Sequence, residues 1–274
     1  MRQIEKRIPA REANGSATCV AGSIPAIIHQ TFLSTELPDR TYEAAQSWRD
    51  HNPECEYRFY DDDDQIALLS DRFDSDVLAA YHKMPRGAHR ADLWRYCVLF
   101  EHGGVYADID TVCQSSLKSV LRPDDSFVVP NTGTVPHAVF NAFICSSPGH
   151  PILEKAIAYA TETILNTRKF EGYMMAGPGA LGIAVNLAIG RDAHDPHELG
   201  PHEVGSVAYR IIEKCAPNGD QPRRVESDGK TVMLTKYDGY LDDLESAGVT
   251  HWAHGKPTGG PVKSALKALK RLIK

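Results

Sequence analysis

The chain has no run approaching the ~18 consecutive apolar residues that a membrane-crossing helix needs. Its opening stretch, 1–23, is polar and lacks the apolar middle of a signal peptide. A basic excess is missing too. Lys and Arg number 30 against 36 Asp and Glu, and the formal net charge of −6 argues against a general nucleic-acid binder. No two cysteines have the Cys-x-x-Cys spacing of zinc or redox sites. Cys19, Cys55, Cys97, Cys113, Cys145 and Cys215 are scattered, and free thiols are the expectation. Internal repeats and low-complexity linkers are absent. The 274 residues, 42% hydrophobic and 24% charged, therefore read as one large α/β domain with a substantial core. Three segments are expected: a flexible leader over 1–22, the domain over 23–260, and a basic helix over 261–274.

What is present is organised around Gly103-Gly104-Val105-Tyr106-Ala107-Asp108-Ile109-Asp110. The glycine pair permits a tight turn. Beyond it Val105, Ala107 and Ile109 alternate with Tyr106, Asp108 and Asp110, as on the two faces of a strand. One face can enter a core, and the strand end then presents two carboxylates and a phenol. Carboxylates two residues apart suit a hard divalent cation that also holds phosphate oxygens. A bare Asp-x-Asp is also met as an exposed turn with two solvated acids.

The preceding helix, 88–101, runs into the glycines as into a C-cap. Its second half is apolar almost all round and should be buried, yet Asp92 and Arg95 sit one turn apart on it. Buried charges need partners. The two can form a structural ion pair. Alternatively, Asp92 accepts hydrogen bonds from a sugar while Arg95 neutralises charge on a donor, both aimed where Asp108 points.

Together, Ala91-Asp92-Leu93-x-Arg95-Tyr96 and Gly103-Gly104-Val105-Tyr106-x-Asp108-x-Asp110 resemble glycosyltransferase family 32. The resemblance implies a GT-A fold, an α/β arrangement with a mixed, mostly parallel sheet flanked by helices. It also implies a nucleotide-sugar donor, a Mn²⁺ or Mg²⁺ ion and retention of anomeric configuration. The implied roles put Asp92, Arg95, Asp108 and Asp110 in catalysis, with Tyr106 ordering the donor. The late segment His251-Trp252-Ala253-His254 resembles the family's C-terminal one, so His251, with His254 second, would join Asp108 and Asp110 at the metal. A UDP-sugar is the favoured donor, with GDP-mannose open, and a glycan or lipid-linked glycan is the acceptor. A nucleotide-sugar hydrolase and a catalytically silent sugar-nucleotide-binding protein are the alternatives. Golgi members carry a membrane anchor, so the expectation here is a bacterial cytoplasmic enzyme, possibly peripheral on the inner face of the membrane.

The remaining chain is read as support. Ile24-Pro25-Ala26-Ile27-Ile28-His29-Gln30 is a buried first strand. Ligands in α/β sheets sit beyond the carboxyl ends of strands, which places His29 and Gln30 near a nucleotide unless His29 is structural. Helices are expected over 41–51, 65–70, 74–82, 152–165 and from Gly177-Pro178 to 187, with strands at 56–60, 126–129, 140–145 and 231–234. The acids Asp61-Asp62-Asp63-Asp64 precede a helix and suit capping better than metal binding. The basic loop 83–90 is an anion site or a solvated loop. Asn141 falls where the family often has an Asn and is assigned a donor or acceptor contact. Residues 190–230 show no clear period and are expected as loops. The tail 263–274 forms an amphipathic basic helix that either lies on an anionic membrane or packs on the domain.

Overall fold

The computed structural model describes residues 6–13, 19–85, 87–168, 171–219 and 222–246. His251, His254 and the basic tail lie outside the described residues. The chain opens with β1 (Lys6–Arg7), β2 (Arg11–Ala13), β3 (Cys19–Ala21), β4 (Ile24–Pro25), β5 (Ile27–Thr31) and β6 (Glu36–Leu37). Then come α1 (Asp39–His51), β7 (Glu56–Tyr60), α2 (Asp62–Arg72), α3 (Ser75–Lys83), α4 (Gly87–His102) and β8 (Gly104–Ala107). The middle holds β9 (Val112–Cys113), α5 (Leu117–Val120), β10 (Phe127–Pro130), β11 (Phe143–Ser146), α6 (Pro151–Asn166), α7 (Gly172–Met175) and α8 (Pro178–Ala188). It ends with β12 (Gly200–Val204), β13 (Val207–Cys215), β14 (Arg224–Ser227), β15 (Lys230–Leu234) and α9 (Tyr240–Ser246).

These elements build a mixed sheet flanked by helices, the expected α/β arrangement. Its order is β2-β7-β5-β8-β11-β10-β13-β14-β15-β9, with β12 also on β13. Pairing is parallel at β5–β7, β5–β8 and β10–β13. It is antiparallel at the other pairs, β8–β11 and β10–β11 included. The three parallel strands β5, β7 and β8 end at one edge, so the turn after Ala107 opens where ligands of such sheets bind.

Two cores lie across the sheet. One gathers Trp94, Tyr96, Tyr106, Phe127, Ile144, Leu153 and Leu181, and the other Ile28, Trp48, Val105, Ala107, Ile109 and Phe143. The alternation along β8 therefore sends Val105, Ala107 and Ile109 to one core and Tyr106 to the opposite one. The ladder stops at Ala107, and Ile109 and Asp110 form a turn closed by the Thr111 N–H on the Asp108 carbonyl, 3.1 Å. Asp108 and Asp110 thus sit in that turn, past the end of the strand.

Local chemistry explains most boundaries. Asp61 caps α2, accepting from the N–H groups of Asp63 and Asp64 at 3.0 Å, while Asp64 accepts from the Asp61 N–H in return. The acid run is a cap. In the basic loop, Lys83 donates to the carbonyls of Leu165 and Thr167 at the end of α6, and Arg90 pairs with Asp62 at 3.5 Å. Those two cations serve helices. The stretch expected as a flexible leader contributes β1, β2 and β3, because Ile8 is fully buried and β2 covers the open edge of β7. The expected first strand splits at Ala26: β4 pairs with β3, whereas β5 joins β7 and β8. The largest difference is at 190–230, where β12, β13 and β14 replace the expected loops. β13 is covered on both faces and carries Arg210, 3% exposed and paired with Asp125 at 2.5 Å, so its sequence shows no two-residue period. All six cysteines are free thiols.

Candidate active site

The glycines act first. Gly103 and Gly104 have φ of +63° and +97°, and a Cβ on Gly104 would stand 2.6 Å from the Ile27 carbonyl oxygen. Only a residue without Cβ lets α4 hand the chain to β8 this tightly against β5. His29 completes the turn. Its Nε2–H donates to the Gly103 carbonyl at 2.9 Å, which leaves Nδ1 to accept from the Tyr60 hydroxyl at 3.0 Å. Burial lowers its pKa to about 3, in keeping with a neutral ring.

At the end of β8, the Tyr106 hydroxyl donates to Oδ1 of Asp108 at 2.8 Å. Nη1 of Arg95 lies 3.2 Å from the same oxygen, and Nη2 lies 2.9 Å from Oδ1 of Asp92. The guanidinium also donates to the carbonyls of Ala91 and Asn141 and stacks 4.5 Å over the Tyr106 ring. Arg95 is 3% exposed. Burial opposes its charge, yet the neighbouring Asp108, Tyr106 and Asp92 hold its pKa above the usual value. Asn141 gives its side-chain amide to Asp92 at 2.9 Å and to the Tyr96 hydroxyl at 3.2 Å, and that hydroxyl donates to the Ala176 carbonyl at 2.6 Å. His89 Nδ1 is 3.7 Å from Asp92.

Asp110 completes the group from the next turn. Its acid is pushed up to about 7 by burial and then by the charge of Asp108, with Lys236, 3.5 Å away, working against the rise. The Trp48 indole holds the following residue by donating to Thr111, 3.1 Å to Oγ1. Two carboxylates on one turn, one of them buried, form an oxygen donor set that fits a hard divalent cation. Among the described residues, the acid and thiol cluster close enough to hold an ion is Glu213, Cys215 and Glu226, where Arg224 already pairs with Glu226 at 2.5 Å.

The structure thus gathers Asp92, Arg95, Tyr106, Asp108, Asp110 and Asn141. His29 and Gln30 are packed inside the fold: both are fully buried, and Gln30 braces the turn, donating to the Asp108 carbonyl at 3.3 Å and accepting from the Tyr57 hydroxyl at 2.9 Å. The segment after β15 is the part that sequence reading missed. Lys236-Tyr237-Asp238-Gly239-Tyr240 has a turn glycine and a cation between aromatics, the one signal that could have drawn notice.

Residues 38–128 match the family model described as the glycosyltransferase sugar-binding region containing the DXD motif. The chain is 29% identical over 194 residues to inositol phosphoceramide mannosyltransferase 3 of Schizosaccharomyces pombe, covering 71% of this chain and 52% of that protein. It is 42% identical over 95 residues to the initiation-specific alpha-1,6-mannosyltransferase of Candida albicans, covering 34% and 23%. A solved structure titled PaToxG Glycosyltransferase superposes with a TM-score of 0.49 at 20% identity, over 62% of this chain and 70% of that one. The chain spans about half the length, or less, of the curated relatives named here. With the sugar-binding region laid over α1 to β10 and the Asp-x-Asp acids at its centre, the chain carries the sugar-binding region of the DXD glycosyltransferases and is similar over it to fungal mannosyltransferases.

Proposed function

We propose that the chain transfers a hexose from a nucleotide sugar to a hydroxyl of a glycan or glycolipid, with a divalent cation and retention of configuration. The observation that supports this best is the meeting of Asp92, Arg95 and Asp108 within 3.2 Å on one buried guanidinium, with Asp110 on the adjoining turn. A cation held by Asp108 and Asp110, with His251 or His254 as a further ligand, would supply Lewis-acid relief for the departing diphosphate. Arg95 orients both carboxylates. Asp92, fixed by Arg95 and Asn141, aligns the sugar through its remaining acceptor capacity. No further carboxylate stands out as a nucleophile, so same-face displacement is the favoured course, with positioning and electrostatics carrying the rate. The mannosyltransferase relatives move the weight from a UDP-sugar toward GDP-mannose, and an inositol phospholipid hydroxyl becomes an acceptor to try first. The basic segment 263–274 supports contact with an anionic membrane carrying such an acceptor.

The test is a screen of GDP-mannose and UDP-sugars with Mn²⁺, each with and without acceptor. Sugar transfer that needs both acceptor and cation is expected. Release of free sugar regardless of acceptor would make the protein a hydrolase, and binding without turnover would make it a silent receptor.

A further inference from the structure

The counter-charge of Asp110 comes from an element that the reading above leaves without a role. Two residues beyond β15, Lys236 sets its ammonium 3.5 Å from Oδ2 of Asp110 and 4.5 Å from the centre of the Tyr240 ring. The N–H of the next residue, Tyr237, donates to the Asp110 carbonyl at 3.1 Å. The same segment is tied to α1 on its other side. The Tyr237 hydroxyl lies 2.6 Å from Thr41 Oγ1 and donates to Asp243 at 3.0 Å, and Arg40 holds Asp243 at 2.6 Å. Gly239, at φ +85°, packs so closely on the Arg40 guanidinium that a Cβ would overlap it. The backbone beside Asp110 is therefore clamped, whereas the Lys236 side chain, 41% exposed, reaches in from solvent.

Arg95 serves Asp92 and Asp108, so among the described residues Lys236 is the cation within ion-pair reach of Asp110. An ammonium and a divalent cation on one carboxylate repel each other. We propose that Lys236 is a displaceable counter-ion of the cation site: it neutralises Asp110 while no metal is bound, yields that carboxylate to an arriving cation, and turns its charge to the diphosphate of the donor. The proposal rests on reading Asp108 and Asp110 as the cation site.

The test is binding, on the full chain, of Mn²⁺ alone and then of GDP or UDP at saturating Mn²⁺, by titration calorimetry. K236M should bind Mn²⁺ alone roughly three- to tenfold more tightly than the unaltered protein, and nucleoside diphosphate more weakly by a similar factor. K236R should match the unaltered protein in both. K236Q carries the measurement if K236M melts early. Unchanged or weaker Mn²⁺ binding in the uncharged variants overturns the counter-ion role, and unchanged nucleotide binding overturns the transfer to the donor. Mn²⁺ binding that is absent from the unaltered protein, or indifferent to D110N, brings down the cation site itself and this proposal with it.

Discussion

Arg95 stands 3.2 Å from Asp108 and 2.9 Å from Asp92, so one buried guanidinium ties a carboxylate on α4 to one at the end of β8. Arg95 thereby holds the Asp92 and Asp108 carboxylates in one place. Removing the guanidinium leaves Asp92 and Asp108 without their counter-charge, a loss that typically reaches about 3–5 kcal/mol when the pair is buried. R95L should fall by that order in urea unfolding. R95L combined with D92N should lose less than the two single changes summed, because the second removes a charge that the first stranded. Additive losses would show that Arg95 and Asp92 do not act as a unit.

Asp110 should be costly for stability and necessary for function. Burial raises its pKa to about 7, so the folded state holds this proton more tightly than the unfolded chain does. Its contribution is neutral below the unfolded value near 4, turns progressively destabilising as pH rises from 4 to 7, and stays at its full cost above that. With metal removed by EDTA, D110N should be more stable than the unaltered protein at pH 8, by about 1–3 kcal/mol, and near equal at pH 4. Transfer activity should drop at least about 100-fold. Thermal melts at the two pH values, beside transfer assays with GDP-mannose and UDP-sugars, check both halves.

His29 gives the opposite slope. Its pKa is lowered to about 3, so between there and 6.5 the unfolded chain binds the extra proton and stability falls as pH falls. H29Q offers an amide NH2 donor and a carbonyl acceptor in place of the ring. It should fold at pH 7 and lose less stability on acidification from 6 to 4, by about 1.4 kcal/mol per pH unit. A denaturation series showing parallel acid limbs for both proteins would mean that His29 is not held neutral.

The glycine pair is testable without touching a charge. At φ +97° and 2.6 Å from the Ile27 carbonyl, a methyl on Gly104 meets backbone that cannot yield, and G104A should cost about 2–4 kcal/mol. G190A, at φ +71° with open space around it, should cost only the backbone term of about 1 kcal/mol. Equal losses in chemical denaturation would remove the steric argument.

Much of the site was legible because its signals are local. The helix stop at Gly103, the acids two residues apart after an alternating strand, and the Asp92/Arg95 spacing depend on neighbours in the chain, as does the Asp61 cap. His29 and Gln30 misled for a physical reason: position at the carboxyl end of a strand does not say which way a side chain points. Here both point into the sheet's packing, against Gly103, Tyr60 and Tyr57. β13 escaped because a buried Arg210–Asp125 pair interrupts the apolar run that would have revealed it.

By itself the sequence determined the order of helices and strands around the glycine turn, the residues of the acidic motif and the family they point to, since propensity, capping and spacing act over a few residues. Only the tertiary structure decided that Asn141 locks Asp92, that Gln30 braces Asp108 from behind, and that Lys236, far along the chain, supplies the charge opposite Asp110. Those contacts join elements separated by 49, 78 and, for the α1 clamp under Lys236, 203 residues. No local rule constrains them, because they are set by which strands pair and how the helices pack.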